Sequence, residues 1–333
     1  MSGGGEEAFV AWLERRLPRA PIGDDTAELA ARGRLVATVD QQIEGTHFAA
    51  GLDLATLGRR LLAVNLSDLA ASGARPRWAL LALGLPHDTD PRPLIEGLLQ
   101  EAGRHGVVLA GGDVAHAQVL SASLTLLGEK SAGDASLGRD RARAGHTLWL
   151  GGPVGESALG CELVLRGATW RGRTVSLPET KDFLLKGKTA AAGRRAVSRH
   201  LVPGPQLELG RWLAALGRRA GAAIDVSDGL AKDLRRVATA SGVGAELDLR
   251  LLRAAVAPGH EELAAALGLD PIAVALAGGE DYVLLFTLPA SVEPPARFGC
   301  SRIGRIVRGR EVVFLDAAGE RHVLPALGWD HLD

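Results

Sequence analysis

LATLGRRLLAVNLSDLAASGARPRWALLALGLP, residues 54–86, joins two segments of different period. Leu57, Leu61, Leu62, Val64, Leu66, Leu69 and Ala70 recur at helical spacing, which predicts a helix over 54–73. WALLALGLP, 78–86, is a continuous apolar run closed by Pro86 and reads as a buried strand. A helix leading directly into such a strand is the unit of a layered α/β fold, and the alternation continues in both directions. Upstream lie a short helix at 6–17 and the strand RLVATVD at 34–40. Downstream, 91–105 is an amphipathic helix, VVLAGG (107–112) a buried strand and VLSASLTLLGE (119–129) an alternating one.

The polar, arginine-bearing segment 131–146 interrupts the pattern, so two domains are expected, 1–140 and 141–333. The second half repeats the alternation. GESALGCELVLRG is helical, 166–182 a loop and 183–200 a basic helix stopped by Pro203 and Pro205. Helices follow at 206–219 and 229–241, a strand and turn at 222–228, strands at 245–249 and 282–288, and two or three short strands at 301–324. The fold class is therefore α/β (α+β).

Composition excludes several classes. The 333 residues carry 38 Lys+Arg against 39 Asp+Glu, which removes the broad attraction of a nucleic-acid or anionic-membrane binder. Two cysteines cannot make a disulfide framework. No basic segment precedes an apolar N-terminal core, and no apolar stretch reaches about 18 residues, so a cytoplasmic protein is expected. The 43 glycines imply many tight turns or close backbone approaches.

The chemistry lies where apolar runs end in an acid: PIGDD (Asp24, Asp25), VATVD (Asp40), AVNLSD (Asp68), VLAGGD (Asp113), AIDVSD (Asp225, Asp228) and ALAGGED (Glu280, Asp281). A carboxylate beside a buried segment loses water and needs a counter-charge. None of these short motifs contains Lys or Arg, whereas Mg2+ accepts carboxylate oxygens and bridges to phosphates. One such acid is ordinarily a helix cap or turn former; six clusters point to a polyphosphate site with more than one metal ion. Gly187-Lys188-Thr189 imitates the end of a phosphate loop, but the required earlier glycine is Asp182. No HRD loop, DFG triplet or HExxH pair is present.

In order and content, GDD, TVD with EGTHF, NLSDLAASGARP, GGD, IDVSDGL, GGEDY and GWDH resemble the thiamine-monophosphate kinases, within the aminoimidazole-ribonucleotide-synthetase-like ATP-binding superfamily. The resemblance spans about residues 22–331. It implies a homodimer of two-domain subunits, an N-terminal mixed-sheet domain serving ATP and Mg2+ binding and dimerisation and a C-terminal α/β domain. It further implies direct in-line transfer from ATP to thiamine monophosphate, with several Mg2+ ions and no dedicated base. Carried over by motif, Asp25, Thr38, Val39 (through its backbone oxygen), Asp40, Asp68, Asp113, Asp225 and Asp228 would hold metal. Gly112, Asp113, Arg139 and Ser227 would meet ATP, and His47, Glu280 and Trp329 the thiamine phosphate.

The chain departs from the family pattern at Gln41-Gln42-Ile43, His105, Val114-Ala115-His116 and Gln206. These positions bear on nucleotide and substrate affinity and spare the principal acids. Two other readings stay open: an ATP-dependent ligase or cyclase of the same superfamily, and a non-catalytic ATP-binding module.

Overall fold

The structure, a computed structural model, describes residues 6–18, 26–171, 174–179, 183–325 and 328. It divides into two compact units, 1–69 with 74–132, and 70–73 with 133–333.

Unit 1 contains α1 (Glu6–Arg16), β1 (Arg34–Ile43), α2 (Leu54–Ser72, its last residues counted with unit 2), β2 (Arg75–Leu85), α3 (Arg92–His105), β3 (Val108–His116) and β4 (Ser121–Lys130). Its sheet runs β1-β4-β2-β3, with β2 and β3 parallel and the other pairs antiparallel. Leu57, Leu61, Leu62, Leu66 and Leu69 of α2 are buried, as are Leu94, Ile95 and Leu98 of α3, so the apolar spacing marks a true core face. The two helices touch backbone to backbone: a Cβ on Gly58 would stand 1.9 Å from Leu94 O, and one on Gly97 1.9 Å from Ala55 O. Along β4, Ala122, Leu124 and Leu126 alternate inward.

Unit 2 begins with β5 (His146–Leu150), α4 (Glu156–Leu165), the hairpin β6 (Thr169–Arg171) and β7 (Thr174–Ser176), α5 (Gly187–Leu201), α6 (Leu207–Ala215), β8 (Ala223–Asp225) and α7 (Leu230–Ser241). It continues with β9 (Gly244–Asp248), α8 (Leu249–Ala255), α9 (His260–Leu267), α10 (Pro271–Ala277), β10 (Leu284–Pro289), β11 (Ser301–Val307), β12 (Val312–Leu315) and β13 (Arg321–Val323). The seven-stranded sheet has the order β13-β12-β9-β11-β5-β10-β8; only β12 and β9 pair in parallel. Leu148, Leu150, Val226, Leu234, Val237, Leu247, Leu285 and Ile306 share its main core.

The observed elements differ from the sequence reading in four places. β3 runs on to His116 and is largely exposed beyond Gly111, because it is an edge strand with one neighbour. The expected loop at 166–182 contains the β6–β7 hairpin. The basic helix starts at Gly187. The helices α8, α9 and α10 have no counterpart in the reading; each spans only 7 or 8 residues, too short for a helical period to stand out. No helix among the described residues is long and apolar enough to cross a membrane.

Candidate active site

The first acidic centre lies in unit 1, where β1 faces α2. Thr38 and Asp40, two apart on a strand, share the face turned toward the helix, and α2 presents Asn65 and Asp68. The Thr38 hydroxyl donates to Asp68 Oδ2. Asn65, fully buried, donates to Leu61 O one turn back (2.8 Å) and accepts from the Asp40 backbone N–H (3.2 Å). Burial and, secondarily, the charge of Asp68 push the Asp40 carboxyl up to about 7. Val39 points to the opposite face and is well exposed, so its side chain is not part of this group. Ser67, beside Asp68, lies inside α2 and is buried.

Two carboxylates, the charge of Asp68 opposing ionisation of Asp40, with a hydroxyl beside them, form an all-oxygen donor set of the kind a hard divalent cation accepts. Asp25 lies outside the described residues. Asp113 stands exposed on β3, next to Gly112. A Cβ at Gly112 would be 1.9 Å from Leu81 O on β2, so the strand pairing itself demands glycine there. His47, in the loop after β1, accepts at Nδ1 from the Ile43 N–H (3.1 Å).

The second centre is in unit 2, where the structure brings IDVSDGL and GGEDY side by side. Val226 N donates to Val283 O (2.8 Å), Glu280 N to Ser227 O (2.7 Å) and Tyr282 N to Val226 O (2.9 Å). A Cβ on Gly279 would come within 2.6 Å of Ser227 O. Asp225, buried, closes β8 in register with Leu284. The turn that follows is organised by Asp233, absent from the sequence reading. Its Oδ2 accepts from Ser227 N and Asp228 N (3.1 Å each), and its Oδ1 accepts from Arg236 Nη1 (2.7 Å). Burial raises the Asp233 pKa while Arg236 opposes the shift.

Asp228 corrects the counter-charge argument. Its Oδ2 pairs with Arg236 Nη2, and Lys232 Nζ lies 3.8 Å away. The cations come from α7, one and two turns beyond the motif, where a search of the motif alone could not see them. A metal at Asp228 would share the carboxylate with Arg236.

Glu280 and Asp281 are neighbours with different duties. Glu280 and Tyr282 hold left-handed backbone, φ +61° and +51°, and flank Asp281. Asp281 turns inward, buried, and accepts from Gly155 N (2.6 Å) and Ser157 N (3.0 Å) at the start of α4. Burial drives its pKa up to about 7 against those two hydrogen bonds and Arg199. It is a helix cap supplied from afar.

Gly328 packs against Asp228 O and Lys232, while Trp329 lies outside the described residues. Arg139 is exposed in unit 2, and its carbonyl accepts from Ser241 Oγ (2.7 Å). Gln206 is engaged at both ends, donating to Gly151 O (2.6 Å) and accepting from Leu284 N (2.7 Å), so that departure serves the sheet. His116 bonds Leu85 O through Nδ1 (2.9 Å) and lies tilted against the His87 ring. His105 meets Glu101 one turn earlier (3.3 Å). Among the described residues, the one group of three acid or imidazole side chains close enough to share an ion is Asp316, Glu320 and His322, where Asp316 already ties the β12–β13 turn.

Residues 23–129 match the family described as AIR synthase related protein, N-terminal domain. Along its length the chain is 31% identical to the thiamine-monophosphate kinase of Aquifex aeolicus, covering 98% of both chains. It is 36% identical to that of Mycobacterium tuberculosis, over 94% of this chain and 88% of the relative. The chain belongs to the thiamine-monophosphate kinase family. The solved structure of AaThiL complexed with AMPPCP and TMP superposes with a TM-score of 0.76 at 29% identity, covering 98% of this chain and 97% of that one. The family's two-domain, mixed-sheet architecture is thus the one this sequence adopts.

Proposed function

We propose that this chain is a kinase that phosphorylates thiamine monophosphate to thiamine diphosphate at the expense of ATP. The observation that carries the reading is identity to thiamine-monophosphate kinases over nearly the entire length of both partners. An oxygen of the substrate phosphate attacks the γ-phosphorus in line. The new P–O bond forms as the bond from γ-phosphorus to the β,γ-bridging oxygen breaks, and ADP leaves with that electron pair. A phosphate monoester is largely dianionic near neutral pH, so no side chain need remove a proton.

Thr38, Asp40, Asp68 and Asp113 in unit 1, Asp225 and Asp228 in unit 2, Asp25, and the Val39 carbonyl are the proposed Mg2+ ligands. Bound Mg2+ supplies the positive charge that lets two phosphate groups approach. Gly112, Asp113, Arg139 and Ser227 would meet ATP. His47, Glu280 and Trp329 would bind the thiamine phosphate, Glu280 complementing the cationic thiazolium and Trp329 stacking on it.

A homodimer completes the proposal. The face of the unit 1 sheet turned away from α2 carries Leu35, Val39 and Val108, which are 53%, 60% and 41% exposed. A second copy of the chain would cover it.

Incubating the purified protein with ATP, Mg2+ and thiamine monophosphate tests the function. The expected products are thiamine diphosphate and ADP in equal amounts. ADP without the diphosphate would redirect the search toward ligase or cyclase substrates, and nucleotide binding without turnover toward a non-catalytic module.

A further inference from the structure

The Glu280 carboxylate meets His200, which in turn meets Ser157, two residues that the sequence reading did not single out. Ser157, fully buried, sits in the first turn of α4, and His200, buried, in the last turn of α5. The helices cross tightly at Gly160, where a Cβ would stand 2.1 Å from Ala196 O and 2.9 Å from the His200 Cβ. That close approach, with His200 one turn beyond Ala196, brings the imidazole to the start of α4. His200 Nδ1 lies 3.2 Å from Ser157 Oγ and 3.4 Å from Glu280 Oε2.

Serine, histidine and glutamate together suggest a nucleophile relay, but the geometry is of another kind. A relay sets the acid on one ring nitrogen and the hydroxyl on the other. Here both meet Nδ1. A carboxylate only accepts hydrogen bonds, so an Nδ1 lone pair facing Glu280 would be repelled. The arrangement therefore favours a proton on Nδ1, shared toward Oε2 and Oγ. The other end of Glu280 is fixed as well, since its left-handed backbone is tied through its N–H to Ser227 O at 2.7 Å.

We propose that His200 is a positioning residue: its Nδ1–H holds Oε2 of Glu280 and so orients the carboxylate that receives the cationic ring of thiamine monophosphate. The inference rests on the proposed role of Glu280. A carboxylate held at both ends binds a cation without first paying to order its side chain.

Steady-state kinetics on the full chain test the assignment, with both substrates varied and melting temperature recorded. His200→Leu should raise KM for thiamine monophosphate about tenfold, equivalent to about 1.4 kcal/mol, and leave KM for ATP unchanged. His200→Asn, whose amide can place a donor near the Nδ1 position, should stay within about threefold of the parent, and its recovery separates positioning from packing. The double variant His200→Leu/Glu280→Gln should be no worse than Glu280→Gln alone, because both changes remove one interaction. If the Leu variant does not fold, His200→Asp replaces it, being close to Asn in shape but without the donor when ionised. An unchanged thiamine-phosphate KM in Glu280→Gln would defeat the proposed role of Glu280. A raised KM in Glu280→Gln with an unaffected His200→Leu, with losses that add in the double variant, or with both KM values moved alike would overturn the assignment of His200.

Discussion

Asp68→Asn separates a metal-binding acid from a structural one because the two roles move stability in opposite directions. In the folded chain the Asp40 carboxyl is pushed from 3.8 to about 7, first by burial and then by the charge on Asp68. About three units at about 1.4 kcal/mol each means that ionised Asp40 costs the fold up to about 4 kcal/mol. The substitution removes the second cause and keeps both volume and an oxygen able to accept from Thr38. At pH 8 without metal, the variant should be more stable than the parent by about 1 kcal/mol, one unit's worth of shift. Its turnover with ATP, Mg2+ and thiamine monophosphate should nevertheless fall by about 100-fold or more. Added Mg2+ should raise the melting temperature of the parent more than that of the variant, since a ligand that binds only the folded state stabilises it by mass action. Urea unfolding with and without Mg2+, beside single-turnover rates, reads all three quantities. A variant that is less stable and turns over near the normal rate would refute the reasoning and return Asp68 to a local structural role.

Asp281 yields a pH signature. Its folded pKa, raised to about 7, lies above the unfolded value near 4, so its contribution is fully present below about pH 4 and is lost as pH rises through about 7. The stability difference between the parent and Asp281→Asn should therefore shift against the parent across that window by up to about 4 kcal/mol, then stay level above it, as followed by urea unfolding at fixed pH values. Arg236→Ala should destabilise the fold by about 3–5 kcal/mol, because it strips the counter-charge from buried Asp233 and from Asp228 together. A loss under about 1 kcal/mol in chemical denaturation would show that solvent replaces the guanidinium without cost.

The longer elements were legible because their burial is periodic. α2 and β4 present one face each to a core, and hydrophobic spacing reports that directly. The helices between 249 and 277 were not, since a segment of two turns shows too few repeats to separate it from a loop. At the site, the acids announced themselves as carboxylates closing apolar runs, but their partners did not. Arg236 reaches Asp228 because α7, which starts two residues after Asp228, carries the guanidinium back toward that turn. Asp281 looked like its neighbour Glu280, yet it accepts from backbone groups more than 120 positions earlier in the chain. Ser157 and His200 carry no motif at all; their meeting follows from the glycine crossing of two helices.

The left-handed kinks at 280 and 282 flank Asp281, and the two adjacent acids take different partners, Glu280 the imidazole of His200 and Asp281 the backbone at the root of α4. Occupancy of the proposed thiamine-phosphate site at Glu280 should slow amide exchange at Gly155 and Ser157, so that the beginning of a helix more than 120 positions earlier in the chain registers whether the vitamin is aboard.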